Sequence, residues 1–244
     1  MSFSDDEIER YARHLVLAEV GGPGQQRLKA ARAAIVGLGG VGGPAALYLA
    51  AAGIGGLTLI DDHAVALSNL QRQIAFDAAD VGRSKTEAAG TRVAALNPHV
   101  AVVAAPLRLD AGNAAGLLEG HTVVIDGTDD FAARFAVNAA CVALSIPLVS
   151  GALGRWSGQV GVFEGRPCYR CLVPGTPPDA ETCARVGVVG ALAGVVGAMA
   201  ALEAIKRITG AGAPLTGRLL LYDGLAGTAR TVRVAADPAC PVCG

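Results

Sequence analysis

Ala33-Ala34-Ile35-Val36-Gly37-Leu38-Gly39-Gly40-Val41-Gly42 decides how this chain folds. A short apolar run, read as a buried strand, ends in glycines spaced G-x-G-x-x-G at Gly37, Gly39 and Gly42. Pro44 to Ala52 follows as a helix, with proline near its start and Gly53 just past its end. Glycines let the backbone turn tightly and approach a phosphate, and a helix N-terminus favours anions. The next strand, Leu57 to Ile60, runs straight into Asp61, an acid placed to hydrogen-bond ribose hydroxyls. A glycine turn alone can do no more than pack a helix on a sheet. Strand, turn, helix and acid in this order point to a nucleotide.

Outward from that unit the alternation continues. Val100 to Val103, Val123 to Ile125 and Pro147 to Val149 read as strands, and Phe131 to Leu144 as a helix between the last two. Ser84 to Leu96 reads as a helix opened by a Ser84/Glu87 capping box. The expected fold is α/β, a Rossmann-like doubly wound sheet whose parallel half spans about residues 31–150. Residues 4–30 form charged helices broken at Gly21-Gly22-Pro23-Gly24. Past Ser150, strands at Gln159–Phe163, Arg218–Tyr222 and Arg230–Val234 extend the sheet antiparallel, with a long helix over 186–207. One domain covers 1–244.

Composition bounds the function. Of 244 residues 52% are apolar, 17% charged and only 4% aromatic, with 33 glycines. Such a core packs helices closely on a sheet. A net charge of −1 offers no broad basic face for nucleic acid. Val186 to Leu202 is uncharged but rich in glycine and alanine, and Glu203, Lys206 and Arg207 follow at once, so it reads as a buried helix and not a membrane span. The acidic, polar N-terminus lacks the pattern of a signal peptide, which suits a cytoplasmic protein with reduced thiols.

The glycines do not choose the nucleotide. An NAD-dependent oxidoreductase needs little beyond them and Asp61. Here Ser68-Asn69-Leu70-Gln71-Arg72-Gln73 adds a short capped helix with Asn69 and Arg72 on one face, and Lys85 opens the next helix. Two cations and an amide near a glycine loop resemble a triphosphate clamp, which offsets charge as pyrophosphate leaves. Thr128-Asp129-Asp130 lies at the C-terminal end of a strand, where doubly wound folds bind ligands. Asp129 there can hold Mg²⁺, or Thr128 and the acids can cap the following helix.

Six cysteines include two C-x-x-C pairs, Cys168/Cys171 and Cys240/Cys243, the spacing of a four-thiolate zinc site. Their wide separation ties the chain end to the sheet, and a closed site does no chemistry. Cys141 reads as core packing. Cys183, beside Arg185 in a loop from Val173 to about Arg185, is a candidate nucleophile or an unreactive exposed thiol.

Together these residues, with Arg10-Tyr11-Ala12-Arg13, Cys168-Tyr169-Arg170-Cys171 and Cys240-Pro241-Val242-Cys243, resemble the ThiF/MoeB/HesA family, bacterial relatives of ubiquitin-activating enzymes. The resemblance runs from about residue 7 to the end. It implies ATP-dependent adenylation of the Gly-Gly carboxylate of a ubiquitin-like sulfur-carrier protein, with pyrophosphate released ahead of thiocarboxylate formation. It implies that Gly37, Gly39, Gly40 and Gly42 form the phosphate turn. Asp61 meets the ribose, Asn69, Arg72, Gln73 and Lys85 the phosphates, and Asp129 the Mg²⁺. Arg13 reaches the neighbouring subunit of a homodimer, a role that only the resemblance assigns. The carrier tail passes under a crossover loop near 173–185 that includes Cys183, optional and not required for adenylation. Relatives often carry Thr-Asp-Asn where Asp130 stands here, and further acids where His63 and Ala64 follow Asp61-Asp62. Without a fused rhodanese domain, sulfur comes from a separate donor, a cysteine desulfurase or rhodanese. Asn138–Leu144 and Gly187-Val188-Val189-Gly190 resemble the thiamine branch more closely, Ile35–Gly40 and Pro147–Ala152 are at least as close to the molybdopterin branch, and the balance leans slightly to the second. A scaffold that docks a carrier without catalysis is the third reading, disfavoured by the intact clamp.

Overall fold

The structure is a computed structural model that describes residues 3–177 and 187–244. Eight strands form one sheet in the order β3-β2-β1-β4-β5-β6-β7-β8. They are β1 (Arg32–Val36), β2 (Gly56–Ile60), β3 (Ala101–Ala105), β4 (Val123–Asp126), β5 (Leu148–Gly154), β6 (Ser157–Phe163), β7 (Arg218–Asp223) and β8 (Thr228–Arg233). β1 to β5 pair in parallel, and β6 to β8 add on antiparallel. The helices are α1 (Asp5–Leu15), α2 (Gly21–Ala30), α3 (Gly42–Ala51), α4 (Lys85–Leu96), α5 (Ala114–Leu118), α6 (Phe131–Leu144), α7 (Tyr169–Leu172) and α8 (Gly190–Thr209).

The strand pleat divides the core in two. Ala33 and Ile35 of β1 face one apolar cluster with Leu57, Ile125, Val149 and the helices α3, α4 and α8. Ala34 and Val36 face the other, with Val124, Leu148, Val137 and Leu118 from α5 and α6. Both faces being covered explains why Ala33–Val36 of β1 and Val123–Ile125 of β4 are continuous apolar runs. Small residues let α8 lie close. A Cβ on Gly197 would come within 2.6 Å of the Val41 carbonyl oxygen, at the start of α3.

From β1 the chain winds outward to β2 and β3, then returns to place β4 on the other flank of β1. The crevice past the C-terminal ends of β1 and β4 is therefore the topological switch point, where such sheets bind ligands.

Several local expectations are corrected. The N-terminal break falls at Val16–Val20, and Gly21-Gly22-Pro23-Gly24 forms the first turn of α2, since proline needs no donor there. Ser84 occupies the N-cap of α4 but forms no capping box; its hydroxyl lies 2.9 Å from Thr86 Oγ1. The long helix begins at Gly190, because Val188 bridges to Arg155. Among the described residues, no helix is long and apolar enough to cross a membrane.

Candidate functional site

Past the switch point lies a cavity of about 530 Å³. Gly37, Gly39, Gly40, Asp61, Asn69, Arg72, Gln73, Lys85 and Asp129 all line it. They come from five segments: the β1–α3 turn, the end of β2, the 3₁₀ segment Leu67–Asn69 with the residues just after it, the first turn of α4 and the end of β4.

The glycine turn is shaped by contact with its own chain. Gly42 lies outside the cavity lining. Its Cβ would stand 1.9 Å from the Gly37 carbonyl oxygen, so it closes the turn and does not face the cavity. Asp61, buried, accepts from the Leu38 N–H at 2.7 Å with Oδ2 and from the His63 N–H at 2.9 Å with Oδ1. The same acid that faces the cavity thus also pins the glycine loop. Lys85, buried, holds its Nζ 3.8 Å from Asp61 Oδ2. The carboxylate is the partner that a buried amine needs at the cavity wall. The Asn69 side chain accepts from Ala66 N–H at 3.3 Å, and Arg72 Nη1 donates to the Ser68 carbonyl at 3.1 Å. In place of the short helix expected over Ser68–Gln73 there is a 3₁₀ turn at Leu67–Asn69, capped by Asn69 reaching back.

At the end of β4, Asp130 caps α6 through the Ala132 N–H and pairs with Arg108 at 2.8 Å. Thr128 is not the cap; its hydroxyl donates to Asp126 at 2.7 Å. With Asp130 so engaged, Asp129 is the exposed carboxylate of this turn.

Beneath this turn lies a group that sequence reasoning missed. Asp126 is fully buried, and Arg134 of α6 approaches its Oδ2 at 3.7 Å. Arg134 also donates to Ser150 Oγ at 3.3 Å, to the Gly151 carbonyl at 3.1 Å and to the Thr128 carbonyl. Burial is the largest single influence and opposes the Arg134 charge, but Asp126, Tyr169 and Asp129 together outweigh it, so the guanidinium is held even more firmly protonated. A lone arginine within the apolar run Phe131–Leu144 was the available signal, since a buried charge needs a partner.

The guanidinium carbon of Arg134 also lies 5.9 Å from the ring centroid of Tyr169. Tyr169 opens α7 between two cysteines. Cys168, Cys171, Cys240 and Cys243 bring their sulfurs within 4.8 Å of one another, with Cys168–Cys240 at 3.6 Å and Cys171–Cys243 at 3.4 Å. Four thiolates at about 2.3 Å from a tetrahedral zinc would be about 3.8 Å apart, so the donor set fits that ion. Cys141 is separate and buried in α6, and burial pushes its thiol up to about 12. It is core packing, as expected.

Two further expectations are not brought into the cavity. Arg13, exposed in the last turn of α1, is not among the lining residues. Cys183 lies outside the described residues.

Comparison with known proteins gives the same reading as this geometry. The chain is 45% identical over 253 aligned residues to the sulfur carrier protein adenylyltransferase of Thermus thermophilus, across 100% of this chain and 93% of that one. It is 44% identical to the molybdopterin-synthase adenylyltransferase of Escherichia coli K12, across 99% of this chain and 98% of that one. The structure resembles the crystal structure of E. coli MccB with ATP at a TM-score of 0.82 and 25% identity, covering 96% of this chain and 74% of MccB. The ThiF family matches residues 11–242, and the chain belongs to that family.

Proposed function

We propose that this chain uses ATP to adenylate the C-terminal glycine carboxylate of a ubiquitin-like sulfur-carrier protein. The observation that carries this reading is the convergence of the glycine turn with Asp61, Asn69, Arg72, Lys85 and Asp129 on one cavity. A dinucleotide enzyme has no need of two cations and an amide beside that turn. The activities of the two curated relatives support the same chemistry.

The carrier's carboxylate oxygen attacks the α-phosphorus of ATP. The bond from that phosphorus to the bridging oxygen breaks, and pyrophosphate departs with the electron pair. Lys85 and Arg72 stabilise the charge that grows on the phosphates, and N–H groups of the glycine turn hold them. Asp61 meets the ribose while keeping the turn in place. Asp129 would hold Mg²⁺, which screens the triphosphate charge. Cys168, Cys171, Cys240 and Cys243 would hold a structural Zn²⁺ with no open position.

The reading extends to a single adenylation unit whose second half receives the carrier, preferably of the molybdopterin-synthase type. It includes a cytoplasmic homodimer that lends Arg13 across its interface, and a separate protein as sulfur donor. Cys183 is optional for adenylation. The test is ATP–pyrophosphate exchange. Exchange should appear only when a Gly-Gly-ended carrier is present, and NADH should not bind. Absence of exchange with every sulfur carrier of the same genome, or saturable tight NADH binding, would end the proposal.

A further inference from the structure

The four-cysteine cluster and the nucleotide cavity share a wall. Tyr169 lies next to the ligand Cys168, is buried, and lines the cavity. Its backbone N–H donates to Asn138 Oδ1 at 2.8 Å, and Asn138 Nδ2 lies 3.5 Å from the Cys168 sulfur. One side chain of α6 therefore grips both the cysteine and the tyrosine. The Tyr169 ring meets Phe163 of β6 edge-on at 5.8 Å between centroids, which fixes its plane. Arg134 lies against that ring and carries the carbonyls of Thr128 and Gly151. Thr128 precedes Asp129, so each step from sulfur to cavity is a direct contact.

We infer that Tyr169 is a positioning residue through which occupancy of the four-thiolate site and nucleotide binding are energetically linked. With a metal bound, the cysteine sulfurs stay gathered and Tyr169 stays under Arg134. The floor of the cavity then keeps the arrangement that receives a triphosphate. Without metal, four thiols lose their common anchor, the 168–171 turn loosens, and Arg134 loses one of its supports. Linkage requires the converse: nucleotide must tighten metal binding by the factor by which metal tightens nucleotide. This inference rests on the cavity being an ATP site and on the cysteines holding zinc.

The test measures zinc affinity by competition with a chromophoric chelator, using the full chain with and without a saturating non-hydrolysable ATP analogue. Calorimetry records analogue binding in parallel. For the wild-type protein the analogue should tighten zinc binding at least about fivefold, at the low end of typical coupling. In Tyr169→Leu, still loaded with zinc, the analogue should change zinc affinity less than about twofold. Should that variant fail to fold, Asn138→Leu, which removes the side chain that holds both Cys168 and the Tyr169 backbone, should show a smaller coupling than wild type. Analogue binding with unchanged zinc affinity in the wild type overturns the linkage and leaves the adenylation reading standing. Undiminished coupling in a folded Tyr169→Leu removes Tyr169 from the link. Failure of the wild-type protein to bind the analogue overturns the ATP reading and this inference together.

Discussion

Asp126 and Arg134 face each other at 3.7 Å beneath the nucleotide cavity, both buried. The pair joins the end of β4 to α6, and Arg134 uses its remaining donors on the carbonyls of Thr128 and Gly151. Removing the cation strands a buried carboxylate. Arg134→Met should therefore lose about 3–5 kcal/mol of stability in urea unfolding. The double variant Asp126→Asn/Arg134→Met should recover part of it. A single variant as stable as wild type would show that the pair contributes little.

Lys85 pairs with Asp61 and lines the cavity proposed to receive the phosphates. Lys85→Ala and Arg72→Ala should each lower carrier-dependent pyrophosphate exchange about 10²- to 10³-fold. Both should keep the circular dichroism spectrum of the parent. Normal exchange in either variant would remove that residue from the clamp.

Gly42 tolerates no side chain. The Cβ of alanine would sit 1.9 Å from the Gly37 carbonyl oxygen, which is backbone and cannot swing aside. Gly42→Ala should cost at least about 3 kcal/mol and reduce ATP binding as the turn opens. A thermal melt and calorimetry with an ATP analogue measure both. Gly22→Ala makes the control, since a Cβ there meets nothing within 4 Å.

The N-terminal helix carries its own pH dependence. Glu7 accepts from Lys29 Nζ at 2.8 Å, and its carboxylate also receives the Ser4 N–H, so its pKa is held below the ordinary 4.5. A lowered carboxylate contributes stability above its unfolded value. That contribution is lost as the pH falls through the lower folded value. Glu7→Gln should thus lower the melting temperature at neutral pH and flatten its fall below about pH 4.5, the ordinary value. An unchanged acid limb would show that Lys29 does not hold Glu7 in solution.

The strands, the glycine turn and the predicted residues that line the cavity were legible because each is encoded within a few residues. Apolar runs ending in glycine or acid mark strands that deliver ligand-binding turns, and paired C-x-x-C spacing marks a metal. Local capping was less legible. Ser84 has the right spacing with Glu87, yet its hydroxyl turns to Thr86. Thr128 precedes a helix, yet Asp130 caps it. Short polar side chains have several backbone partners within reach, and packing chooses between them.

From the order of its residues alone, this chain was committed to a doubly wound sheet with a nucleotide turn and to a four-thiolate cluster, since periodicity and spacing are local properties. Tertiary structure alone decided that Asp126 would pair with the cavity-lining Arg134, that Asp61 would pin Leu38, and that Tyr169 would lie between the four-cysteine cluster and the cavity. Those pairings unite residues far apart in the chain. A buried charge or ring takes whichever partner the fold brings near, and that choice leaves no periodic trace in the sequence.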